Sequence, residues 1–337
     1  MSSLIDDLQN PSALPDPTPH VTLVQTHISM VFVGEEYVYK VKKPVDFGFL
    51  DFSSLEKRHR YCEQEVRLNQ RLSEGVYLGV LPVTRLEGRY RIGGNADEAV
   101  DWAVRMKRIP DACLMKSLFE RGELRDSHLE ATAKLLARFH REAERNPAID
   151  EFGTWQRFKV NTDENFAQTE AFVEQTLDRE TYEGIRGWTN GFYRANGPLF
   201  EQRVQQGRIR DCHGDLHMEH ICFLDPVAAI DCIEFNDRFR YSDTLADIAF
   251  LLMDLEFQGG RDLAARLWEI YADLAGETGM ERLLSFYKVY RAYVRGKVIG
   301  FQLQDENIDS EIKEEALQTA RRYFTLARSY IERTADD

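Results

Sequence analysis

The feature of this chain that most constrains its fold is a change of hydrophobic periodicity near residue 108. Before it, apolar and polar residues alternate over short runs such as Tyr37-Val38-Tyr39-Lys40-Val41, a pattern typical of half-buried strands. After it, apolar residues recur three and four positions apart, which predicts amphipathic helices. We therefore predict an α+β protein with a small antiparallel sheet in residues 1–108 and a larger, mainly helical part in residues 109–337.

The first part is predicted to carry one helix between its strands. Ser53 and Glu56 have the spacing of a capping box, and Gly75 is a stop signal, so we predict a helix over 53–72. The predicted strands share β-branched or aromatic residues and flanking turn signals, and they span 21–24, 30–33, 37–41, 78–84, 89–92 and 100–109.

The second part begins with another capping-box pattern, formed by Ser127 and Glu130. A short β-hairpin interrupts the helical pattern, with strands over 221–224 and 228–230. The helices are predicted over 127–144, within 162–205, and over 243–257, 261–275, 279–303 and 310–333.

Charge and composition exclude several classes of function. The chain has 43 Lys and Arg against 57 Asp and Glu, a formal net charge of −14, which repels nucleic acid and anionic membranes. Its five cysteines form no C-x-x-C pair, which favours a reducing compartment. The first residues lack the pattern of a secretory signal, and no run of eighteen apolar residues occurs. We expect a cytoplasmic protein without a nucleic-acid or membrane partner.

The most informative motif is His213-Gly214-Asp215, followed by the predicted hairpin and then by Asp231. Phosphoryl transfer needs one carboxylate at the nucleophile and metal ligands that neutralise the phosphates, and a hairpin between two loops delivers both groups to one cleft. The pattern resembles the catalytic and metal-binding loops of the aminoglycoside phosphotransferase family, two-lobed relatives of protein kinases that bind ATP between the lobes. The resemblance implies that Asp215 is the catalytic base and Asp231 a metal ligand.

A second segment, residues 240–249, resembles the start of the helix that supports the catalytic loop in this family. The resemblance implies that Asp247 supports this loop through hydrogen bonds, and that His213 belongs to the supported loop. Asp243 is interpreted as the N-cap of the helix.

In the first part, Tyr37-Val38-Tyr39-Lys40 resembles the family's strand whose lysine meets the α- and β-phosphates. The resemblance implies an ion pair between Lys40 and Glu65 of the predicted helix. Lys42 and Glu63 are the alternative pair, since Lys42 falls on the same face of the strand. Without the motif around Asp215, these residues are interpreted as solvated surface charges.

Two further segments are candidates for nucleotide binding by the same resemblance. The loop 25–29 has no glycine, but its backbone N–H groups and the hydroxyls of Thr26 and Ser29 are suited to phosphate. Its alternative is a plain polar hairpin loop. The hinge is expected at 104–109, with Met106 and Lys107 beside the adenine.

The sequence departs from the family pattern at His220, which replaces the metal-binding Asn five residues after the catalytic Asp. Mg²⁺ prefers oxygen ligands, whereas imidazole suits Mn²⁺, Co²⁺ or Zn²⁺. Three alternatives follow: one metal held by Asp231, a shifted metal preference, or a domain that binds nucleotide without turnover. A zinc site formed by His213, His217 and His220 is a rival interpretation, which the predicted loop disfavours.

The prediction that unites these features is a phosphotransferase that uses ATP or GTP with Mg²⁺, or with Mn²⁺, to phosphorylate a hydroxyl of a small molecule or of a protein serine or threonine. The alternative is a catalytically weak or inactive nucleotide-binding regulatory protein. The chain resembles the phosphotransferase half of bacterial proteins fused to a P-loop kinase domain. No G-x-x-x-x-G-K-[ST] motif occurs in these residues, so no Walker-type nucleotide site is expected.

A basic stripe on the predicted helix 279–303 leaves the class of acceptor open. The stripe is interpreted as a solvated or salt-bridged face, or, if it faces the cleft, as an indication of an anionic acceptor. Its members are Lys288, Arg291, Arg295 and Lys297.

Overall fold

The alternating and helical patterns of the sequence correspond to strands and helices of the computed structural model, which describes residues 3–304 and 308–336. The strands are β1 (Thr22–Gln25), β2 (Ser29–Val33), β3 (Tyr37–Lys42), β4 (Tyr77–Leu86), β5 (Arg89–Ile92), β6 (Asp101–Lys107), β7 (Ile209–Asp211), β8 (Ile221–Cys222), β9 (Ala228–Ala229) and β10 (Tyr241–Asp243). The α-helices are α1 (Leu4–Leu8), α2 (Leu55–Asn69), α3 (Met115–Glu120), α4 (Asp126–Glu142), α5 (Pro147–Asp150), α6 (Trp155–Thr169), α7 (Arg179–Gln205), α8 (Asp237–Arg240), α9 (Thr244–Phe257), α10 (Arg261–Ala275), α11 (Glu281–Gly300) and α12 (Ser310–Asp336).

Within the described residues, six strands form one antiparallel sheet in the order β1-β2-β3-β6-β4-β5. Strand β3 therefore lies in the interior of the sheet, with Lys40 opposite Val31 of β2 and Val104 of β6. Because side chains alternate along a strand, Tyr39 and Val41 enter the apolar core on one face. Lys40 and Lys42 point to the other face, where they meet α2.

The two predicted capping boxes are wrong, although both helices form. Ser54 rather than Ser53 caps α2, and its hydroxyl accepts from the N–H of Lys57 at 3.2 Å. The Ser53 hydroxyl instead donates to Asp51 at 2.6 Å. Helix α4 begins one residue before Ser127. There the N–H of Arg125 donates to His128 Nδ1 at 3.0 Å, which places Ser127 inside the first turn.

Helix α9 is the buried centre of the helical part. Every residue from Thr244 to Leu255 is buried, as expected for a helix that is apolar on all sides. Asp243 is its N-cap and accepts from the N–H of Leu245 at 2.9 Å. Despite this apolar character, none of the helices among the described residues has the length and hydropathy needed to cross a membrane.

The chain divides into two compact units that do not follow a single cut in the sequence. The first unit contains the sheet and runs to Glu123, and it also includes the segment Glu219–Asp237 with the β8–β9 hairpin. The second unit is helical and contains Leu124–Met218 and the chain from Arg238 onward. The predicted boundary between lobes at residue 108 stays a prediction.

Candidate active site

Lys40 lies between two carboxylates in the first unit. Its Nζ is 2.9 Å from Glu65 Oε1 and 2.7 Å from Asp231 Oδ1. Burial alone would lower the pKa of Lys40, but Asp231 and Glu65 outweigh burial and hold this pKa well above its usual value. The pair that the resemblance implied, Lys40 and Glu65, is therefore in direct contact.

Lys42 is also bound to Glu65, a contact that was not predicted from the sequence. Its Nζ is 2.7 Å from Glu65 Oε2 and donates a short hydrogen bond to Glu234, while the ring of Phe52 lies 4.7 Å away. The side chains of Lys42 and Glu65 are fully buried. Glu63, the alternative partner, is exposed and lies 3.6 Å from His59.

The electrostatics of this buried cluster follow from its lysines. Burial would raise the pKa of Glu65, but Lys40 and Lys42 lower it. Burial and the neighbouring carboxylate of Glu65 raise the pKa of Glu234, and the opposing effect of Lys42 and Lys40 is smaller. Glu65 is thus kept ionised by two lysines, and it holds both of them on the α2 side of the sheet.

The backbone around Asp231 is held in an unusual conformation. Asp231 has φ +60°, in the left-handed region that non-glycine residues rarely adopt. Its N–H donates to the Tyr77 hydroxyl at 3.1 Å, and the next N–H, of Cys232, donates to Asn69 Oδ1 at 2.9 Å. Gln64 donates to the carbonyl of Glu234 at 3.0 Å. Strained backbone that its surroundings hold in place is concentrated at functional sites.

His220 and Asp231 lie at the two ends of the β8–β9 hairpin and come close together. The N–H of Ile230 donates to the His220 carbonyl at 2.9 Å, and His220 Nε2 is 3.7 Å from Asp231 Oδ2. A divalent metal ion such as Mg²⁺ or Zn²⁺ lies about 2.1 Å from each of its ligand atoms, so two ligand atoms of one ion are at most about 4.2 Å apart. The two side chains therefore fit a divalent metal ion, with one oxygen and one nitrogen ligand.

The loop between β1 and β2 is closed by its own hydrogen bonds. Thr26 Oγ1 accepts from the N–H groups of Ile28 and Ser29, at 3.3 and 3.0 Å, and Thr26 N donates to the Ser29 carbonyl at 3.0 Å. Lys43 Nζ donates to the Thr26 carbonyl at 2.7 Å. The Ser29 hydroxyl is buried, and no residue in the described part of the chain forms a hydrogen bond with it.

Met106 and Lys107 lie at the end of β6. Met106 is paired with Val38 of β3 and with Tyr77 of β4. The N–H of Lys107 donates to the carbonyl of Val76 at 2.9 Å. This donor is used inside the sheet, so the backbone N–H of Lys107 is not the group that would read an adenine edge.

In the second unit, the loop of the His-Gly-Asp motif is bound to a buried carboxylate. Asp247 Oδ2 accepts from the N–H of His213 and Oδ1 accepts from the N–H of Gly214, both at 2.9 Å. His140 Nε2 lies 3.1 Å from Asp247, and His140 Nδ1 lies 2.7 Å from the Tyr271 hydroxyl. Burial would raise the pKa of Asp247, but the hydrogen bond to His140 and nearby cations hold it far below its usual value.

Asp215 is presented by this loop with its side chain 34% exposed. Gly214 has φ +86°, a backbone conformation that residues other than glycine rarely adopt. The Gly214 carbonyl accepts from Arg291 Nη1 at 2.9 Å. The N–H of Asp215 donates to His213 Nδ1 at 3.2 Å, and His217 Nε2 is 3.6 Å from Asp215 Oδ2. The loop therefore holds Asp215 on a fixed backbone while leaving its carboxylate accessible.

Sequence reasoning missed three residues of these clusters. Glu234 follows Asp231 by three positions, and an acid in an apolar stretch was a usable signal. His140 lies on the apolar face of α4, where a buried histidine requires a polar partner. Arg291 belonged to the basic stripe and gave no signal that separated it from its neighbours.

The sheet with its buried lysine–glutamate cluster, together with the helical part, defines the protein kinase-like two-lobed α+β fold that the sequence predicted. The model of the phosphotransferase enzyme family, APH, matches residues 32–284, and the chain belongs to this family. The resemblance to the aminoglycoside phosphotransferase family is thereby confirmed.

The chain is also similar to individual proteins in sequence and in structure. The chain is 33% identical over 315 residues to an uncharacterised protein of Mycobacterium tuberculosis strain H37Rv and, equally, to one of Mycobacterium bovis. The match covers 93% of this chain and 60% of each relative, so the chain spans about 60% of the length of these relatives. A solved structure of a choline/ethanolamine kinase family protein from Mesorhizobium loti has a TM-score of 0.54, at 13% identity, and the match covers 97% of this chain and all of that one.

Proposed function

We propose that the chain transfers the γ-phosphate of ATP or GTP to a hydroxyl of a small molecule, or of a protein serine or threonine. The observation that carries this proposal is the contact of Lys40 with both Glu65 and Asp231. Catalysis of phosphoryl transfer is mostly positioning and charge stabilisation, and it needs a lysine at the phosphates beside a metal-binding carboxylate. Membership of the phosphotransferase enzyme family supports the same reaction class.

Asp215 is proposed as the base. Its accessible carboxylate accepts the proton of the acceptor hydroxyl as the oxygen attacks the γ-phosphorus. His213 and Asp247 are proposed as positioning residues, since hydrogen bonds between the Asp247 carboxylate and the loop N–H groups fix the backbone of the motif. Their effect on the reaction is exerted through Asp215.

Asp231 and His220 are the proposed metal ligands. The bound Mg²⁺ or Mn²⁺ would neutralise phosphate charge. One carboxylate oxygen and one imidazole nitrogen form a donor set that suits Mn²⁺ better than Mg²⁺. Lys40 now donates to Asp231 Oδ1, and we propose that this lysine turns to the α- and β-phosphates when nucleotide binds.

The remaining nucleotide contacts are proposed at the loop and the strand end identified above. The buried hydroxyl of Ser29 supports a phosphate contact, because a buried polar group without a partner is costly. Thr26 positions this loop through its hydrogen bonds. Met106 and Lys107 are proposed to lie beside the base of the nucleotide.

A second candidate function is a nucleotide-binding regulatory protein with weak or no turnover. The observation that favours it is His220, an imidazole at the position of the expected amide oxygen. This candidate retains nucleotide binding and differs from the first only in phosphoryl transfer.

The test is Asp215→Asn, with Asp273→Asn, an exposed acid of α10, as the matched control. We expect Asp215→Asn to lower acceptor-dependent ADP formation about 10²–10⁴-fold, the usual contribution of a positioned base. Nucleotide affinity, measured by calorimetry, should change less than about twofold, because Asp215 acts on the acceptor. Equal turnover in the variant and the wild type would show that Asp215 is not the base. Nucleotide binding without transfer to any acceptor would favour the regulatory function.

A further inference from the structure

Helix α11 carries five basic residues, of which four form the basic stripe, and two of these four have their contacts supplied by neighbouring helices. Lys288 forms an ion pair with Glu256 of α9 at 2.7 Å. Lys297 Nζ donates to the amide oxygens of Asn165 and Gln168, each at 2.7 Å. These two residues therefore serve the packing of the helical unit.

The other two, Arg291 and Arg295, lie one turn apart and share a face of α11. Arg291 donates to the Gly214 carbonyl at 2.9 Å and to the Ala246 carbonyl at 3.0 Å. This face therefore lies against the loop that presents Asp215. Arg295 extends from the same face, one turn further along the helix.

Arg295 differs from Arg291 at its Nε, while its guanidinium also interacts with the side chain of Tyr323. Its Nε is buried and, in residues 3–304 and 308–336, has no hydrogen-bond partner. Its guanidinium lies 5.8 Å from the centre of the Tyr323 ring. Burial would lower the pKa of this guanidinium, but Tyr323 and the carboxylates of Asp215 and Asp254 act in the opposite direction and raise it.

Two buried arginines of this unit, Arg203 and Arg240, have carboxylates in direct contact. Arg203 contacts Asp243 at 2.7 Å and Glu277 at 2.5 Å, and Arg240 contacts Asp211 at 2.5 Å. A buried donor left without an acceptor costs about 1–3 kcal/mol, more when the group is charged. Arg295 as a whole residue is only partly buried.

We propose that Arg295 binds a carboxylate or phosphate group of the acceptor whose hydroxyl Asp215 activates. This inference rests on the proposed function and specifies its substrate class. The planar guanidinium matches the two oxygens of such a group, and its charge would repel a cationic acceptor. In the reaction, the acceptor oxygen bonds to the γ-phosphorus, the bond to the β-phosphate oxygen breaks, ADP leaves, and the proton passes to Asp215.

The phosphates of the nucleotide are also anions, so they are a second candidate ligand for Arg295. The first experiment therefore measures binding of inorganic phosphate by calorimetry while a non-hydrolysable ATP analogue with Mg²⁺ or Mn²⁺ is saturating. We expect Arg295→Gln to weaken phosphate binding about ten- to a hundredfold, Arg295→Lys to weaken it less, and affinity for the analogue to stay within about twofold. Arg194→Gln, an exposed arginine of α7, is the control and should bind like the wild type.

The second experiment measures ADP formation with four matched acceptors: glucose, glucosamine, gluconate and glucose 6-phosphate. We expect the anionic members to be preferred over the neutral and cationic ones, and Arg295→Gln to remove this preference by raising their KM. Melting temperatures of the variants show whether each is folded, and Arg295→Lys provides a second, charge-conserving test.

Three results would overturn the inference. The first is phosphate binding that is absent or the same in wild type and Arg295→Gln. The second is an equal loss of affinity for the ATP analogue, which would assign the guanidinium to the nucleotide. The third is a preferred neutral or cationic acceptor whose KM does not depend on Arg295. Failure of the proposed function gives a different result, namely no binding of ATP or GTP, and phosphate binding by the wild type and Arg295→Gln is then compared without the analogue.

Discussion

At the scale of single residues, the proposed metal ligands His220 and Asp231 would set the metal preference of the site. The two ligand atoms are 3.7 Å apart, and the carboxylate already contacts Lys40 at 2.7 Å. A metal ion at this place would receive one oxygen and one nitrogen from these residues. Imidazole nitrogen is a better ligand for Mn²⁺ than for Mg²⁺.

We predict that His220→Asn shifts the metal preference of turnover toward Mg²⁺, since asparagine supplies an oxygen ligand. The ratio of kcat/KM with Mg²⁺ to that with Mn²⁺ should rise at least about tenfold, because His220 is a proposed direct ligand and altering even a hydrogen-bond partner of a ligand changes metal affinity about 10–100-fold. The measurement is ADP formation at saturating concentrations of each metal. His20→Asn, an exposed histidine, is the control. An unchanged ratio would show that His220 does not bind the metal.

At the scale of elements, side chains alternate between the two faces of β3, and the residues on each face have a different role. Tyr39 and Val41 fill the core of the sheet, whereas Lys40 and Lys42 meet α2. The two lysines differ in exposure: the side chain of Lys40 is 14% exposed, and that of Lys42 is fully buried. Lys40 is therefore accessible to a ligand, and Lys42 serves the ion pairs that attach the strand to the helix.

The two lysines provide a matched pair of variants. We predict that Lys42→Met lowers the free energy of unfolding by about 3–5 kcal/mol, because it leaves Glu65 and Glu234 as buried acids without their shared cation. Lys40→Met should cost less stability, since Glu65 keeps Lys42, but should weaken nucleotide binding. Urea denaturation and calorimetry separate the two effects. Equal destabilisation by both variants, with equal nucleotide affinity, would contradict this division of roles.

At the scale of the whole molecule, the net charge of −14 bears on ligand binding. Such a charge repels anions in general, so a nucleotide and an anionic acceptor need local cations. The first unit carries Lys40 beside Asp231, the proposed metal ligand, and the second unit carries Arg295 on the helix face next to the loop of Asp215.

We predict that ATP or GTP with Mg²⁺ or Mn²⁺ stabilises the protein against heat. A ligand at one hundred times its Kd raises the free energy of unfolding by about 2.7 kcal/mol, which is readily seen as a higher melting temperature. The catalytic and the regulatory function both require this shift. Its absence with either purine nucleotide and either metal would contradict both functions.

The sequence by itself determined the fold class and most of the longer elements, whereas the short helices α1, α3, α5 and α8 and the strands β7 and β10 were not predicted. Periodicity located the strands of the sheet and the helix over 53–72 within a few residues, because side-chain spacing reflects which face of each element is buried. Helix starts were less well determined, since Ser53 and Ser54 are equally good caps by residue type. The motif residues Asp215 and Asp231 came from the resemblance, and their roles stay predictions.

Only the tertiary structure decided which charges meet. Lys42 and Glu234 are 192 positions apart, and Lys40 and Asp231 are 191 apart, so no local pattern reports their contacts. The sharing of Glu65 by two lysines depends on how α2 packs on the sheet. Periodicity is a property of neighbouring residues and can be read along the chain. Ion pairs depend on distances in space, and only the folded path of the chain sets those distances.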